Sequence, residues 1–219
     1  PINMAVQIKT VTTKSELKTF VRFANKMYKG NKYYVPSMPM DDLETFDRNK
    51  NAAFEFSEAE FYLAYKDGKP VGRVAAIVNN KANQAWSVKQ VRFGWFDFID
   101  DLEVSKALLD AVIAFGKSKG MNQIAGPLGF TDFDPEGMLV DGFDRICTMA
   151  LFHNHPYYPE HMKKHGYVKE TGWLEYRLTI PAEVPDRLKK LSQVVLERYN
   201  LKLVKKTKAQ VKRENYGQK

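Results

Sequence analysis

The sequence predicts an α/β domain in which strands and helices alternate along most of its 219 residues. Three observations predict it. Phe61–Tyr65 and Val71–Val78 are apolar runs on either side of Lys66-Asp67-Gly68-Lys69. Asp-Gly between such runs marks a tight hairpin, because both turn residues must accept positive φ. Phe93–Ile99 is apolar at both odd and even positions, the pattern of a strand buried on two faces. A helical stripe follows, formed by Val104, Ala107, Leu108, Ala111, Val112, Ala114 and Phe115, with Gly120 just past its end.

The other elements follow from local chemistry. Val6–Val11 alternates weakly and reads as a first strand. Thr13-Lys14-Ser15-Glu16 is a capping box, after which Leu17, Phe20, Val21, Ala24, Met27 and Tyr28 share one helical face. Gly30 stops that helix. Asn31–Pro39 is extended and aromatic, and Asp41–Arg48 is a short acidic helix. Gln123–Gly126 is a short buried strand, and Pro127–Phe152, rich in Gly, Asp and Pro, is a long structured loop. Pro156 opens a helix that ends at Gly166, with Asn154 or His155 as its cap. Tyr167–Val168 and Trp173–Leu178 read as closing strands. Pro185–Asn200 reads as one more helix. The organisation expected is a body over 1–180, then a basic helix and tail over 181–219 that leads towards a further domain.

Composition bounds the function. Hydrophobic residues make up 44% and charged residues 27%, an ordinary globular balance. No apolar run reaches the length of a membrane span, so no membrane partner is expected. Pro1–Val11 has no basic region followed by an apolar stretch, so no secretory leader is expected there. The single cysteine, Cys147, excludes an internal disulfide and any multi-cysteine metal site, and a reducing, cytoplasmic setting fits it. The net charge of +8 is a property of the tail: residues 183–219 carry 11 Lys and Arg against 4 Asp and Glu, and the rest 23 against 22. The tail lacks the interleaved aromatics of a stacking surface, so nucleic acid is not the expected partner.

The order of elements resembles the GNAT superfamily of N-acyltransferases, over roughly Val6 to Leu178. The hairpin with Gly72-Arg73 after its turn is similar to that fold's second and third strands. Trp95–Ile99, then Ala107-Leu108-Leu109 and Lys119-Gly120, is similar to its fourth strand and main cofactor helix. Lys164-His165-Gly166-Tyr167 is similar to the end of its last helix. Gly126-Pro127-Leu128 and Gly137–Phe143 resemble, more narrowly, a GNAT-like bacterial group whose members continue into a second, similar half. The resemblance implies a mixed, mostly antiparallel central sheet flanked by helices. It implies acetyl-CoA or another acyl-CoA as donor, and a small-molecule amine or peptide as acceptor. A second GNAT-like domain or a homodimer is the implied partner.

The same resemblance assigns candidate residues. The donor would lie along Phe98, Ile99, Asp101, Glu103, Val104, Ser105 and Lys106, where the family places a Gly-rich turn for the diphosphate at a helix start. Here that turn reads Asp100-Asp101-Leu102-Glu103-Val104-Ser105, and carboxylates oppose a diphosphate. The same carboxylates are also ordinary caps for a helix start. The position of the family's proton-donating Tyr holds Met162, so Tyr157 or Tyr158, one turn earlier, would substitute. Asp97, an acid in an apolar strand, is the candidate base; a hydrogen-bonded structural role is the alternative. Tyr33, Tyr34, Phe130, Asp132 and Asn154 would line an aromatic, partly acidic pocket for a cationic acceptor. A non-catalytic binding module stands as the competing reading. No metal is expected: His153-x-His155 lacks a third ligand, and His161 and His165, four apart on one helix, read as a solvated face.

Overall fold

The computed structural model describes residues 5–148, 151–207 and 210. The chain divides into two units, Pro1–Lys169 and Glu170–Lys219.

The first unit is built on a five-stranded sheet: β1 (Gln7–Thr10), β2 (Ser57–Lys66), β3 (Lys69–Asn79), β4 (Gln90–Phe98) and β5 (Gln123–Ala125), in that spatial order. β1 to β4 pair antiparallel and β5 pairs parallel to β4. This is the mixed, mostly antiparallel sheet that the resemblance implies. The hairpin turn has Asp67 at φ 51° and Gly68 at φ 71°, as Asp-Gly requires.

Five α-helices among the described residues of the first unit accompany the sheet. α1 (Lys14–Met27) starts at the expected capping box: the Thr13 side chain accepts from the Glu16 amide and Glu16 reaches back. α2 (Pro39–Thr45) and a 3-10 turn (Ala52–Glu55) follow. α3 (Asn80–Ala85) is an addition to the elements read from sequence. α4 (Leu102–Ser118) is the amphipathic helix after β4, and α5 (Tyr157–Lys164) ends before Gly166 at φ 82°. α6 (Asp186–Arg198) lies in the second unit.

The sheet is buried on both faces, which explains why β2 to β4 are apolar at odd and even positions alike. One core gathers Tyr62, Val74, Val78, Phe93 and Phe98 with Leu108, Val112 and Phe115 of α4 and Tyr158 of α5. The other gathers Phe61, Leu63, Ile77 and Trp95 with Phe20 and Val21 of α1, Phe46 and Phe130. Close approach needs glycine at several positions, two of them within the sheet. A Cβ on Gly72 would lie 2.7 Å from Leu108 Cδ1, so α4 can sit on β3 there. A Cβ on Gly94 would lie 2.4 Å from the backbone oxygen of Leu128, which holds the chain after β5 against β4.

Two sequence expectations change. Tyr167–Val168 and Trp173–Leu178 are irregular rather than strands, and Leu174, Tyr176 and Leu178 are exposed. Alternation supplies a face to bury, but a strand also needs a neighbour for its backbone groups. No strand among the described residues pairs with these segments. Asn154 does not cap α5: its side chain holds Leu139 instead, accepting from the Leu139 amide at 2.7 Å and donating to its carbonyl at 3.0 Å. The α6 helix forms as expected and is exposed along its length.

Candidate active site at the open end of the fourth strand

β5 stays with β4 for only three pairs, ending at Arg92↔Ala125. Beyond it, the Leu128 amide still donates to Phe93 O at 2.8 Å, and the chain then leaves. The register between β3 and β4 steps from Arg73↔Asp97 to Ala75↔Gly94, so β4 carries one extra residue, and Trp95 takes φ 44° to accommodate it. Such a bulge bends a strand and re-aims its side chains. The last residues of β4 therefore have β3 on one side and, among the described residues, no strand on the other.

The backbone groups on that open side are held by two tyrosines of α5. The Tyr158 hydroxyl accepts from the Phe98 amide at 3.0 Å, and the Tyr157 hydroxyl donates to the Phe98 carbonyl at 2.5 Å. The Tyr158 ring is buried and stacks on Phe98 at 4.2 Å. Its hydroxyl shares a hydrogen bond of 3.0 Å with that of Tyr28, which lies 3.4 Å from Asp97 Oδ1. Asp97 Oδ2 accepts from Arg73 Nε at 2.8 Å, and Arg73 Nη1 also donates to the Phe20 and Val21 carbonyls of α1. Asp97, Tyr157 and Tyr158, expected separately from sequence, thus converge on one strand end.

The phenols here are kept protonated. Burial first, then the Asp97 charge, pushes the Tyr158 and Tyr28 hydroxyls well above the ordinary tyrosine range. Burial raises Tyr157 too, with Asp100 and Asp97 adding to it, and lifts Tyr34 to about 12. The Asp97 carboxylate is thus tied to a buried guanidinium that also holds two carbonyls of α1.

The start of α4 shows where the acidic loop spends its charges. Asp101 is the N-cap, its Oδ1 accepting from the Glu103 amide at 2.9 Å. Lys66 reaches from the hairpin to Asp101 Oδ2 at 2.5 Å and Glu103 Oε2 at 3.1 Å. Burial of Asp101 works to raise its pKa, but the Lys66 and Glu103 hydrogen bonds outweigh it and bring it below the usual range. Val104 and Ser105 are buried, and Lys106 turns to Asp110 at 2.6 Å. Ile99 is exposed and Phe98 is not.

His161 is buried, contrary to the solvated face read for it: Asp100 Oδ1 lies 2.9 Å from its Nε2 and Ser105 Oγ 2.9 Å from its Nδ1. His165 Nε2 is a second histidine partner of Ser105, at 2.8 Å. Ser105–His161–Asp100 has the connectivity of a hydrolytic triad. Ser105 has no exposed surface inside the first turn of α4, so the chain of bonds acts as a strut between α4 and α5. Among the described residues, no group of three or more His, Cys, Asp or Glu could hold a metal.

The residues expected to line an acceptor pocket divide into two sets. Tyr34 stacks on Tyr28 at 4.5 Å, and Asn154 lines a small cavity beside Asp97 and Tyr158. Phe130 packs on Phe54 and, with Thr131 and Asp134, borders a separate depression of about 380 Å³ beside α2. Asp132 is exposed, and Tyr33 is half-buried with Lys32 over its ring. Sequence reasoning passed over Arg73, Tyr28 and His153 as site residues. A buried-strand arginine was the available signal for Arg73; Tyr28 read as one more member of an apolar face.

The strand order, the parallel pairing of β4 with β5 and the helix following β4 make this a GNAT-type fold. No protein-family model matches the chain. It is similar to Protein YghO of Escherichia coli (strain K12), 29% identical over 162 residues, covering 74% of this chain and 41% of that protein. It is also similar to a bacterial ceramide synthase of Caulobacter vibrioides (strain NA1000 / CB15N), 23% identical over 185 residues, covering 84% of this chain and 48% of that protein. The chain thus spans less than half the length of these curated relatives. Similar solved structures include an aminoglycoside acetyltransferase from an uncultured soil metagenomic sample, in complex with sisomicin (14% identity, 80% of this chain and 97% of that one, TM-score 0.48). A tandem GNAT protein from the clavulanic acid biosynthesis pathway matches at 9% identity, over 74% of this chain and 43% of that one, with TM-score 0.49.

Proposed function

We propose that this chain transfers an acyl group from acyl-CoA to an amine at the open end of β4. One observation carries the reading: β4 outruns β5, and among the described residues the Phe98 amide and carbonyl on the open side are held by two tyrosine hydroxyls. A pantetheine amide offers the same donor and acceptor pair and can take their place. The similarity to a bacterial ceramide synthase supports an aliphatic donor and a lipid-like amine, since a ceramide is an amide of a long-chain amine.

The chemistry is acyl transfer. The amine nitrogen bonds to the thioester carbon, the carbon–sulfur bond breaks, and one proton passes from the amine to the departing thiolate. The fit to the donor is uneven. Phe98 and Ile99 supply backbone at the acyl end, while Asp101 and Glu103 meet the diphosphate with carboxylates, and Val104, Ser105 and Lys106 continue the helix beyond them. Asp97 orients the acceptor, which attacks as the neutral amine, with Asn154 pinning the adjacent loop and Tyr33 and Tyr34 bordering the approach. Tyr158 or Tyr157 relays that proton, giving its hydroxyl proton to the thiolate and taking up the one that the acylated nitrogen loses. Phe130, at the separate depression, and the exposed Asp132 take no part in this reading.

A second reading, a non-catalytic acyl-CoA or amine-binding module, draws on the capped helix start, where Asp101 occupies the Glu103 amide. Thiol release separates the two. The chain is incubated with acetyl-CoA or palmitoyl-CoA and long-chain primary amines, and free thiol is measured. Amine-dependent release supports the transferase. Binding without release supports the module, and neither binding nor release rejects both.

A further inference from the structure

His153 stands out in the first unit. It is 8% exposed, and its Nδ1 is buried with no hydrogen-bond partner among the described residues. The state of this ring follows from its neighbours. The Tyr33 amide donates to Asn31 Oδ1 at 2.9 Å, which fixes the orientation of the Asn31 side-chain amide. Asn31 Nδ2 then faces His153 Nε2 at 2.9 Å. An amide NH₂ only donates, so Nε2 is the acceptor, and the neutral imidazole carries its hydrogen on Nδ1. Burial, with His155 adding to it, holds His153 below the usual histidine range, so the ring stays neutral.

A neutral ring with Nδ1–H is thus a fixed donor without an acceptor. A buried donor left unpaired is disfavoured, and such groups in folded proteins call for an explanation. His153 lines a cavity of about 10 Å³ together with Asp97, Tyr158, Phe96, Phe152 and Met138. That is room for about one oxygen-sized atom. The cavity adjoins both the charge that would orient an amine and the hydroxyl at the open end of β4.

We propose that His153 is the residue that receives the acyl carbonyl oxygen, with Nδ1–H as the donor aimed at the oxyanion. The assignment rests on the acyltransferase reading above. When the amine nitrogen bonds to the carbonyl carbon, the π pair moves onto oxygen and the Nδ1–H bond to it strengthens. When the carbon–sulfur bond breaks, that pair returns and the sulfur leaves with the bonding pair. His153 keeps its proton throughout, so its task is electrostatic, and its burial makes a neutral donor effective. Asn31 is a positioning residue: it sets the tautomer through Nε2, and Tyr33 sets Asn31.

The test has a spectroscopic arm and a kinetic arm. The chain holds four histidines, so long-range proton–nitrogen correlation of the ¹⁵N-labelled protein resolves each ring, and loss of one signal set in His153→Asn assigns His153. The expected state at pH 7.5 is the Nδ1–H tautomer; an Nε2–H tautomer or an imidazolium overturns the proposal. Addition of a non-transferable acyl-CoA thioether analogue that keeps the carbonyl is expected to shift the His153 Nδ1–H proton. Binding seen by calorimetry without that shift also overturns it, while leaving the acyltransferase reading intact.

In the kinetic arm, His153→Ala is expected to lower kcat roughly 10²- to 10³-fold with little change in KM, as removal of an oxyanion donor does. His153→Asn places an amide N–H where Nδ1–H stood and keeps most of the rate, whereas His153→Gln mimics Nε2 and behaves like alanine. Equal rates in all three variants, or asparagine no better than alanine with the melting temperature unchanged, overturn the assignment. A native chain that neither binds nor turns over acyl-CoA rejects the acyltransferase reading, and this assignment falls with it.

Discussion

Replacing Arg73 with methionine should be among the most damaging single changes to this fold. The Arg73 side chain is 4% exposed and that of Asp97 10%. Arg73 donates to Asp97 Oδ2 at 2.8 Å, to Phe20 O at 2.9 Å and to Val21 O at 3.2 Å. Methionine fills much of the volume and makes none of these bonds. It leaves the Asp97 carboxylate buried with only the long Tyr28 contact, and breaking a buried pair in this way costs about 3–5 kcal/mol. That is a large share of the 5–15 kcal/mol or so by which domains are usually stable. Removing both charges, in Arg73→Met with Asp97→Leu, eliminates the uncompensated ion and should be less damaging than Arg73→Met alone. The assay is urea unfolding followed by far-ultraviolet circular dichroism on the four proteins of the cycle. A cost under about 1 kcal/mol for Arg73→Met, or strictly additive effects in the double variant, would refute the account of a buried pair that holds α1, β3 and β4 together.

Three further outcomes follow from the same geometry. Tyr158→Phe keeps the ring on Phe98 but strands the Phe98 amide, so a loss of about 1–3 kcal/mol is expected in the same unfolding assay; an unchanged midpoint would contradict it. Asp101→Ser keeps a capping oxygen for the Glu103 amide while removing a charge from the helix start. It should tighten acyl-CoA binding roughly fivefold, about 1 kcal/mol, and leave acyl-pantetheine binding unchanged, since only the former carries a diphosphate; calorimetry with both ligands checks this. The amides of Thr12 and Thr13 hold Glu16 down to about 2 from its ordinary value near 4.5. Its folded pKa is depressed, so its contribution is present above about 4.5 and disappears as the pH falls towards 2. Glu16→Gln should therefore flatten the acid limb of the stability profile over that window, and an acid limb identical to that of the native chain would show the capping box to be without effect.

Local chemistry made the fold legible. A capping box, an Asp-Gly turn and a helical stripe each act within a few residues, and each appears where the residues place it. Trp95 was not legible as a bulge, because positive φ at a tryptophan is set by the mismatch between β3 and β4 rather than by the residue itself. Trp173–Leu178 misled because alternation reports a face and says nothing of a pairing neighbour. At the site, Asp97, Tyr157 and Tyr158 could be singled out because an acid in an apolar strand and paired tyrosines at a helix start are unusual locally. Arg73, Tyr28 and His153 acquire meaning only through contacts with Asp97, Tyr158 and Asn31, far away in sequence. His161 read as solvated because a short helix with two histidines four apart looks polar until Ser105 and Asp100 close over it.

The central claim is that the open end of β4 is where the acyl donor lies. The most direct measurement is titration of the ¹⁵N-labelled chain with a non-transferable acyl-CoA analogue, following the Phe98 amide. The account predicts a large, saturable shift of that amide as the pantetheine replaces the Tyr158 hydroxyl, with smaller changes at the start of α4, where Asp101 already holds the Glu103 amide. Saturable binding centred on residues remote from Phe98, or no binding at millimolar ligand, would contradict it.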